Sequence, residues 1–97
     1  MHVVDLHGVE PRRIESLVCL QGARVLEIGC GEGRLTGFAV ARAKSVYAFD
    51  PDGEQVETAR ATLSSDEARR VRFAVHGAEA LDVKRGRFDV ALCGWSL

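Results

Sequence analysis

Short apolar runs alternate along the chain with segments in which apolar residues recur every three or four positions. The runs predict β-strands at residues 24–28, 46–49, 71–75 and 88–93, because β-branched and aromatic residues favour extended backbone. A glycine-rich turn follows the first of these strands and an Asp-Pro-Asp-Gly turn follows the second. Both turns support the predicted strand ends.

Three segments predict helices. Pro11 begins the first, since its fixed φ suits the first helical position, and Gln21-Gly22 ends it. The apolar residues at helical spacing are Ile14, Leu17 and Val18 in the first segment, Leu35, Phe38 and Ala39 in the second, and Val56, Ala59 and Leu63 in the third. Strands joined by helical connections predict right-handed βαβ units, and therefore an α/β fold with a parallel sheet and helices on both faces.

A turn with alternating glycines follows the first predicted strand, and Glu27 precedes it by two residues. Parallel sheets bind ligands at the carboxyl ends of their strands. A ligand there must approach the backbone closely, and a Cβ atom at Gly29 or Gly31 would obstruct it. The alternative is a tight turn whose glycines only supply positive φ angles. The acidic residue beside three glycines at this place favours ligand binding.

Two cofactors suit such a turn. The dinucleotide fingerprint G-x-G-x-x-G requires glycine at position 34, where this chain has Arg34. The carboxylates of Glu27 and Glu32 would repel a diphosphate and favour a ligand with ammonium and sulfonium charges. S-adenosylmethionine is such a ligand, and an oxidoreductase that uses NAD is the weaker alternative.

Segment 25–36, which reads VLEIGCGEGRLT, resembles the first motif of class I S-adenosylmethionine-dependent methyltransferases. Residues from about 10 to 97 follow the order of motifs in that family. The resemblance implies a Rossmann-like fold and S-adenosylmethionine as cofactor, with the methionine end near the turn. The cofactor-binding residues that it implies there are Glu27, Gly29, Cys30, Gly31 and Gly33. No base neighbours Cys30 in the sequence, so it is interpreted as a small pocket residue rather than a nucleophile.

Asp50 ends the second predicted strand. An acid at this position can accept hydrogen bonds from the ribose hydroxyls of a nucleoside. Its alternative role is to cap the Asp-Pro-Asp-Gly turn. Segment 46–51 is similar to the second motif of the family, which favours ribose binding and implies that Pro51 and Asp52 flank the adenine.

The segment after the third predicted strand departs from the family. Methyltransferases of this kind often read Gly-Asp-Ala-Glu where this chain has His76, Gly77, Ala78 and Glu79. The resemblance implies that an Asp contact with the adenine amino group is lost at Gly77 and that the backbone N–H of Ala78 remains. Glu79 or a water molecule would then substitute for the lost contact. His76 is interpreted as a loop residue rather than a catalytic base.

Segment 88–97 resembles the fourth motif, whose end commonly lines the methyl-transfer pocket. The resemblance therefore implies Cys93 as a cofactor-site residue. Trp95 is a candidate for the same pocket or a packing residue of the next helix, and Asp89 is interpreted as structural. No residue is predicted to be catalytic, because the residues that hold the acceptor commonly come from the later part of such domains.

A full domain of this family has seven strands in the order 3-2-1-4-5-7-6. The strands predicted here imply the order 3-2-1-4, with the fourth strand at an edge. An unpaired edge favours association, so we expect self-association through this strand. The chain is interpreted as a partial domain that ends before the acceptor-binding part. It would comprise an N-terminal helical segment at 1–22 and a cofactor-binding core at 23–97.

Composition adds little to this picture. The 97 residues, 46% hydrophobic and 28% charged, are typical of a soluble domain. Thirteen basic and fourteen acidic side chains give a net charge of −1, which indicates neither nucleic acid nor an anionic membrane as partner. The three cysteines lack CxxC spacing and predict neither a disulfide framework nor a metal site, and they favour a cytoplasmic location.

Two functions follow from these observations. The first is S-adenosylmethionine-dependent methyl transfer to an acceptor that is unknown and expected to be a small molecule. The alternative is a non-catalytic or partner-dependent module that binds S-adenosylmethionine.

Overall fold

The computed structural model describes residues 2–5, 13, 19–77, 79 and 87–93. The elements in chain order are β1 (His2–Asp5), β2 (Arg24–Ile28), α1 (Arg34–Val40), β3 (Ser45–Asp50), α2 (Gly53–Ala61), α3 (Ser65–Ala68), β4 (Val71–Val75) and β5 (Val90–Cys93). The first predicted helix depends on residues 14–18, which lie outside the described part of the chain, as do Ala78 and Trp95.

The strands form one parallel sheet in the order β1-β5-β2-β3-β4. The predicted strands are all present and lie in the predicted relative order, here β4-β3-β2-β5, so the α/β class is confirmed. The bounds of β2 and β4 match the prediction, whereas β3 extends one residue further at each end and β5 begins two residues later.

The prediction that the fourth strand lies at an edge is wrong. β1 pairs in parallel with β5, from His2 opposite Val90 to Asp5 opposite Cys93. β5 therefore has a neighbour on each side, and segment 1–22, predicted to be helical, contributes a strand to the sheet. β5 therefore offers no unpaired edge for the expected self-association, because its backbone groups pair with β1 and β2.

Alternation along the strands divides the core between the two faces of the sheet. On one face of the sheet, buried strand residues form one cluster with Ala39 of α1 and Val56 of α2. These strand residues include Val25, Val46, Ala48 and Leu92. Those of the opposite face are Leu26, Phe49 and Ala91. Full burial of one such Val, Leu or Phe side chain contributes roughly 1.5–3 kcal/mol, so both faces stabilise the sheet that carries the site.

Side-chain caps define where two of the helices begin. The Asp52 carboxylate accepts a hydrogen bond from the backbone N–H of Glu54 at 3.0 Å and so begins α2. Ser64 and Glu67 form a capping box at α3, a helix of four residues that is too short for periodicity to predict. Within the described residues, no helix is long and apolar enough to cross a bilayer.

Candidate cofactor site

The carboxyl ends of β2, β3, β4 and β5 lie side by side at one edge of the sheet, which we call the carboxyl edge. The register places Ile28 beside both Phe49 and Cys93, and it places Asp50 beside Val75. Parallel pairing therefore brings together predicted site residues from distant parts of the sequence. Those at or directly after these strand ends are Glu27, Gly29, Cys30, Gly31, Asp50, Pro51, Gly77 and Cys93.

The turn after β2 is held against the end of β3 by backbone hydrogen bonds. The N–H groups of Gly29 and Cys30 both donate to the carbonyl oxygen of Phe49, at 3.0 and 2.9 Å. The φ angles of Gly29, Gly31 and Gly33 are 75°, 53° and 95°. Such left-handed angles strain other residue types, so the backbone of this turn requires its glycines.

Two of these glycines face different surroundings. A Cβ atom at Gly33 would lie 2.7 Å from the Cβ of Ala59, so this glycine allows α2 to pack closely against the turn. A Cβ atom at Gly31 would meet no atom within 4 Å, so open space adjoins its backbone. Gly33 thus has a packing role in addition to its predicted place in the cofactor turn, and Gly31 borders open space.

Glu27 is a charged side chain in the core, with none of its surface exposed. Thr36, in the first turn of α1, donates a hydrogen bond from its hydroxyl to Oε1 of Glu27. Oε2 is also buried and has no hydrogen-bond partner within the described part of the chain. Burial, with a smaller contribution from the charge of Asp50, raises the pKa of Glu27 to about 7. A cationic hydrogen-bond donor at Oε2 would satisfy this oxygen and stabilise the ionised form.

Asp50 connects the turns that follow β2 and β3. Its Oδ2 accepts the backbone N–H of Gly31 at 3.0 Å, and its Oδ1 accepts the backbone N–H of Asp52 at 2.9 Å. The turn-capping role considered for Asp50 is therefore present. Each carboxylate oxygen has two lone pairs, so capping does not by itself exclude the predicted contact with ribose hydroxyls. Pro51 and Asp52 are exposed beside it.

Two cysteines lie in this region. Cys30 is buried, and burial together with the charges of Glu27 and Asp50 raises the pKa of its thiol to about 12. A thiol with this pKa is protonated at neutral pH and is a poor nucleophile. Cys93 is buried at the end of β5, in register with Ile28. Both buried side chains lie at the carboxyl edge, and their contact with the cofactor stays a prediction.

The segment after β4 is fixed through His76. The ring of His76 stacks on Phe49, with centroids 4.4 Å apart. Nδ1 lies 2.9 Å from the carbonyl oxygen of Gly77, which can only accept, so Nδ1 carries a proton. The hydroxyl of Tyr47 lies 3.0 Å from Nε2 and donates to it when the ring is neutral. These partners give His76 a structural role in orienting Gly77.

Glu79 occupies the space that a side chain at position 77 would fill. An added Cβ at Gly77 would lie 2.3 Å from Oε1 of Glu79. The carboxylate of Glu79 therefore packs over the glycine that replaces the family's usual aspartate. The contact of Glu79 with the adenine stays a prediction, and the N–H of Ala78 lies outside the described residues.

Two residues that contact the site are not indicated by any clear local sequence pattern. Thr36 hydrogen-bonds to Glu27, nine positions earlier in the chain, and its place in the first turn of the helix after the glycines is the only signal. Tyr47, on β3, reaches His76, which directly follows the neighbouring strand β4, a contact that no local pattern indicates. Both depend on tertiary packing.

A parallel α/β sheet with a glycine turn and a buried acid at its carboxyl edge defines a class of cofactor-binding domain. The model of the family described as "Methyltransferase domain" matches residues 25–97. The chain therefore belongs to the class I S-adenosylmethionine-dependent methyltransferases, the family that the first motif resembles, and S-adenosylmethionine is the cofactor of that family.

Curated relatives agree with this assignment. The chain is 35% identical over 92 residues to the ubiquinone biosynthesis O-methyltransferase of Xanthomonas campestris. This match covers 91% of this chain and 38% of the relative. It is 37% identical over 82 residues to the enzyme of the same name from Bradyrhizobium diazoefficiens. That match covers 84% of this chain and 31% of the relative. The chain thus spans only about a third to two fifths of these relatives' length.

Solved structures show the same fold. The YcgJ protein of Bacillus subtilis superposes with a TM-score of 0.71 at 28% identity, over 84% of this chain and 35% of that one. An S-adenosylmethionine-dependent methyltransferase from Mesorhizobium loti superposes with a TM-score of 0.74 at 23% identity, over 86% of this chain and 37% of that one.

Proposed function

We propose that this chain binds S-adenosylmethionine at the carboxyl edge of the sheet and provides the cofactor-binding part of a methyltransferase. The observation that carries the proposal is the fully buried carboxylate of Glu27, whose Oε2 has no partner among the described residues. Leaving such an oxygen unsatisfied costs roughly 1–3 kcal/mol, and more when it is charged. The ammonium group of the cofactor's methionine end is the type of donor that would satisfy it.

The residues around Glu27 suit the rest of the cofactor. Asp50 would bind the ribose hydroxyls, and the bare backbone at Gly29 and Gly31 would admit the cofactor closely. Pro51 and Glu79 would border the adenine. Within this proposal, the other pocket residues are Cys30, Gly33, Gly77, Ala78 and Cys93.

S-adenosylmethionine, when bound, supplies a methyl group on a sulfonium that is already an activated leaving group. The contribution of this chain is then to hold and orient. Burial of Glu27 keeps water from its carboxylate, and Thr36 fixes the direction of that carboxylate. Such alignment supplies most of the catalysis in a transfer that needs little covalent help from the protein.

Titration calorimetry with S-adenosylmethionine tests the proposal. We expect wild-type chain to bind S-adenosylmethionine and S-adenosylhomocysteine but not NAD. Glu27→Gln removes the charge with little change in shape, and it should weaken binding roughly 10- to 100-fold, or about 1.4–2.8 kcal/mol. Glu32→Gln is the matched control, because Glu32 belongs to the same turn but is exposed and screened by solvent, so its loss should change affinity less than about threefold.

Equal affinities of wild type and Glu27→Gln would contradict the proposal, as would binding of NAD in place of S-adenosylmethionine. Thermal unfolding of each variant without ligand checks that the fold is intact. Loss of binding in a folded Glu27→Gln chain can then be assigned to the missing charge.

For the acceptor, we propose a small molecule that is methylated on oxygen. The support is the name shared by the curated relatives, ubiquinone biosynthesis O-methyltransferase. Release of S-adenosylhomocysteine in the presence of catechols, primary amines or an RNA oligonucleotide tests this choice. Turnover with a catechol supports it, and turnover with the amine or the oligonucleotide alone would contradict it. Cofactor binding without turnover on any of them would instead support the non-catalytic, partner-dependent module.

We also propose a cytoplasmic location, with 23–97 as the cofactor-binding core. The support for the location is that Cys19, Cys30 and Cys93 are all free thiols, as in a reducing compartment. Fractionation of cells that express the protein checks the location, and recovery from an oxidising compartment would contradict it.

A further inference from the structure

A cleft of about 510 Å³ opens at the opposite end of the sheet from the cofactor site, which we call the amino edge. It lies where β2, β3, β4 and β5 begin, one strand length from the glycine turn. Strands of five or six residues separate the two sites by roughly 17–20 Å. The cleft is therefore distinct from the place proposed for S-adenosylmethionine. Six basic side chains line it: Arg24, Lys44, Arg69, Arg70, Arg72 and Arg87.

Two of these six cations have partners within the chain. Arg24 forms a two-pronged ion pair with Asp89, with Nε 3.1 Å from Oδ2 and Nη2 3.0 Å from Oδ1. Arg70 donates from Nη1 to the carbonyl oxygens of Val40 and Ala43, at 2.6 and 3.1 Å. These two arginines therefore tie the amino edge together, with two of the five donors of each engaged in these hydrogen bonds.

The other four cations have no such partner among the described residues, although the charge of Lys44 acts on Asp89. Lys44, Arg69, Arg72 and Arg87 are exposed. None of them forms an ion pair or side-chain hydrogen bond with another residue that the structure describes. Their charges repel each other across one cleft, and an anion in the cleft would relieve that repulsion.

The positive charge of this cleft is hidden in the overall composition. The chain has a net charge of −1, with thirteen basic residues, and six of those thirteen line this one cleft. Two acids at the same edge offset part of this charge, since Asp89 pairs with Arg24 and Asp66 lies 3.9 Å from Arg70. The six cations still outnumber these two acids, so the cleft has a local surplus of positive charge that the net charge does not report.

The shape and remaining lining of the cleft narrow the class of ligand. Its volume lies within the range of roughly 300–1,000 Å³ that is typical of small-molecule sites. Tyr47 and Phe88 also line it, with ring centroids 6.1 Å apart. Arginines that bind phosphate oxygens, next to aromatic rings on which a base can stack, are the groups that proteins use to bind nucleotides.

We propose that the cleft at the amino edge is a second ligand site, which binds the phosphate groups of a nucleotide through Lys44, Arg69, Arg72 and Arg87. The site is independent of the cofactor site, and its ligand is not the methyl acceptor. It is separate from the carboxyl edge, where the methyl group would be transferred.

Titration of the full chain with ADP at low ionic strength tests this site, with inorganic pyrophosphate and adenosine as comparison ligands. We expect ADP and pyrophosphate to bind and adenosine not to bind, because the phosphates supply the attraction. The double variant Arg72→Gln/Arg87→Gln should weaken ADP binding about tenfold or more. Both side chains are exposed, so the variant should remain folded. Arg60→Gln is the control, because it removes an exposed positive charge on α2 that does not line the cleft.

The results that overturn the proposal are clear. They are absence of ADP and pyrophosphate binding, equal binding of ADP and adenosine, or an equal loss of affinity in the Arg60→Gln control. Displacement of ADP by saturating S-adenosylhomocysteine would also overturn it, since ADP would then occupy the cofactor site. Persistence of ADP binding while S-adenosylhomocysteine is bound supports it. If S-adenosylhomocysteine does not bind, the change of ADP affinity in the double variant decides alone.

A further comparison identifies the source of the phosphates. A single-stranded RNA decamer that binds more tightly than ADP, and loses affinity in the same double variant, assigns them to a nucleic-acid strand. Tighter binding of ADP assigns them to a free nucleotide. Each of these results supports the site.

Discussion

The carboxyl edge and the amino edge of the sheet shift the pKa of a carboxyl group in opposite directions. At the carboxyl edge, Glu27 is completely buried, one of its oxygens lacks a partner among the described residues, and burial raises its pKa to about 7. At the amino edge, Asp89 is exposed and hydrogen-bonded to Arg24, which lowers its pKa to about 2. The fold therefore disfavours the ionised form of one carboxyl group and favours that of the other.

Burial makes this difference. An exposed ion pair is surrounded by water, so it contributes little to the free energy of folding. Its two charges also lose little hydration when the pair forms. A buried carboxylate has lost its hydration, and only hydrogen bonds or charge from a specific partner compensate for that loss of free energy. The carboxyl edge thus holds a buried oxygen that only a specific donor can satisfy, as in the cofactor proposal, whereas the amino edge presents several exposed cations. The tightly packed turn that requires glycines lies at the carboxyl edge.

The largest effect should come from Gly33. Gly33→Ala places a Cβ 2.7 Å from the Cβ of Ala59 and 2.8 Å from its Cα, at a φ angle of 95°. Overpacking and backbone strain together should lower the free energy of unfolding by about 4 kcal/mol, as measured by urea denaturation. Gly37→Ala is the matched control, because Gly37 lies inside α1 with nothing within 4 Å of the added Cβ. It should stabilise the chain by roughly 0.5–1 kcal/mol. Equal stability of the two variants would show that the carboxyl edge is not tightly packed.

The next effect is the pH dependence that Glu27 gives to the ligand-free chain. Its folded pKa of about 7 is above the ordinary 4.5, so folding favours the protonated carboxyl. This stabilisation is complete below about pH 4.5 and is lost as the pH rises through about 7, a change of about 3 kcal/mol. Urea unfolding at a series of pH values should show this decline in wild type and its absence in Glu27→Gln.

Asp89→Asn is the control for the pH series. The folded pKa of Asp89 is lowered to about 2, so its contribution is present above its ordinary pKa and is lost only as the pH falls through about 2. The variant should therefore keep the decline between pH 4.5 and 7. A decline that persists in Glu27→Gln would assign it to another group.

The smallest effect is expected at the amino edge. Arg72→Gln/Arg87→Gln should change the free energy of unfolding by no more than about 0.5 kcal/mol, because both side chains are exposed. At low salt the change should be stabilising, since repulsion among the cations of the cleft is reduced, and added salt should remove it. A large loss of stability would show that these arginines hold the fold together, which would contradict the comparison between the edges.

Local sequence patterns determined much of this protein. Apolar runs and the turns around them predicted the bounds of Arg24–Ile28 and Val71–Val75. The alternating glycines predicted the turn after the first of these strands, because its positive φ angles require glycine. The α/β class and the family followed as well, because these signals lie within short segments whose residues are neighbours along the chain.

Only the tertiary structure decided the rest. The pairing of β1 with β5 joins residues almost ninety positions apart, and four residues are too few to carry a period that could predict it. The contact of Gly33 with Ala59, the hydrogen bond from Thr36 to Glu27 and the basic cleft all arise when separate segments meet. Residue types and their order predict which segments form strands and helices. Burial and charge separation depend on how those segments pack, and the parallel sheet sets this by placing all the strand beginnings at one edge and all the strand ends at the other.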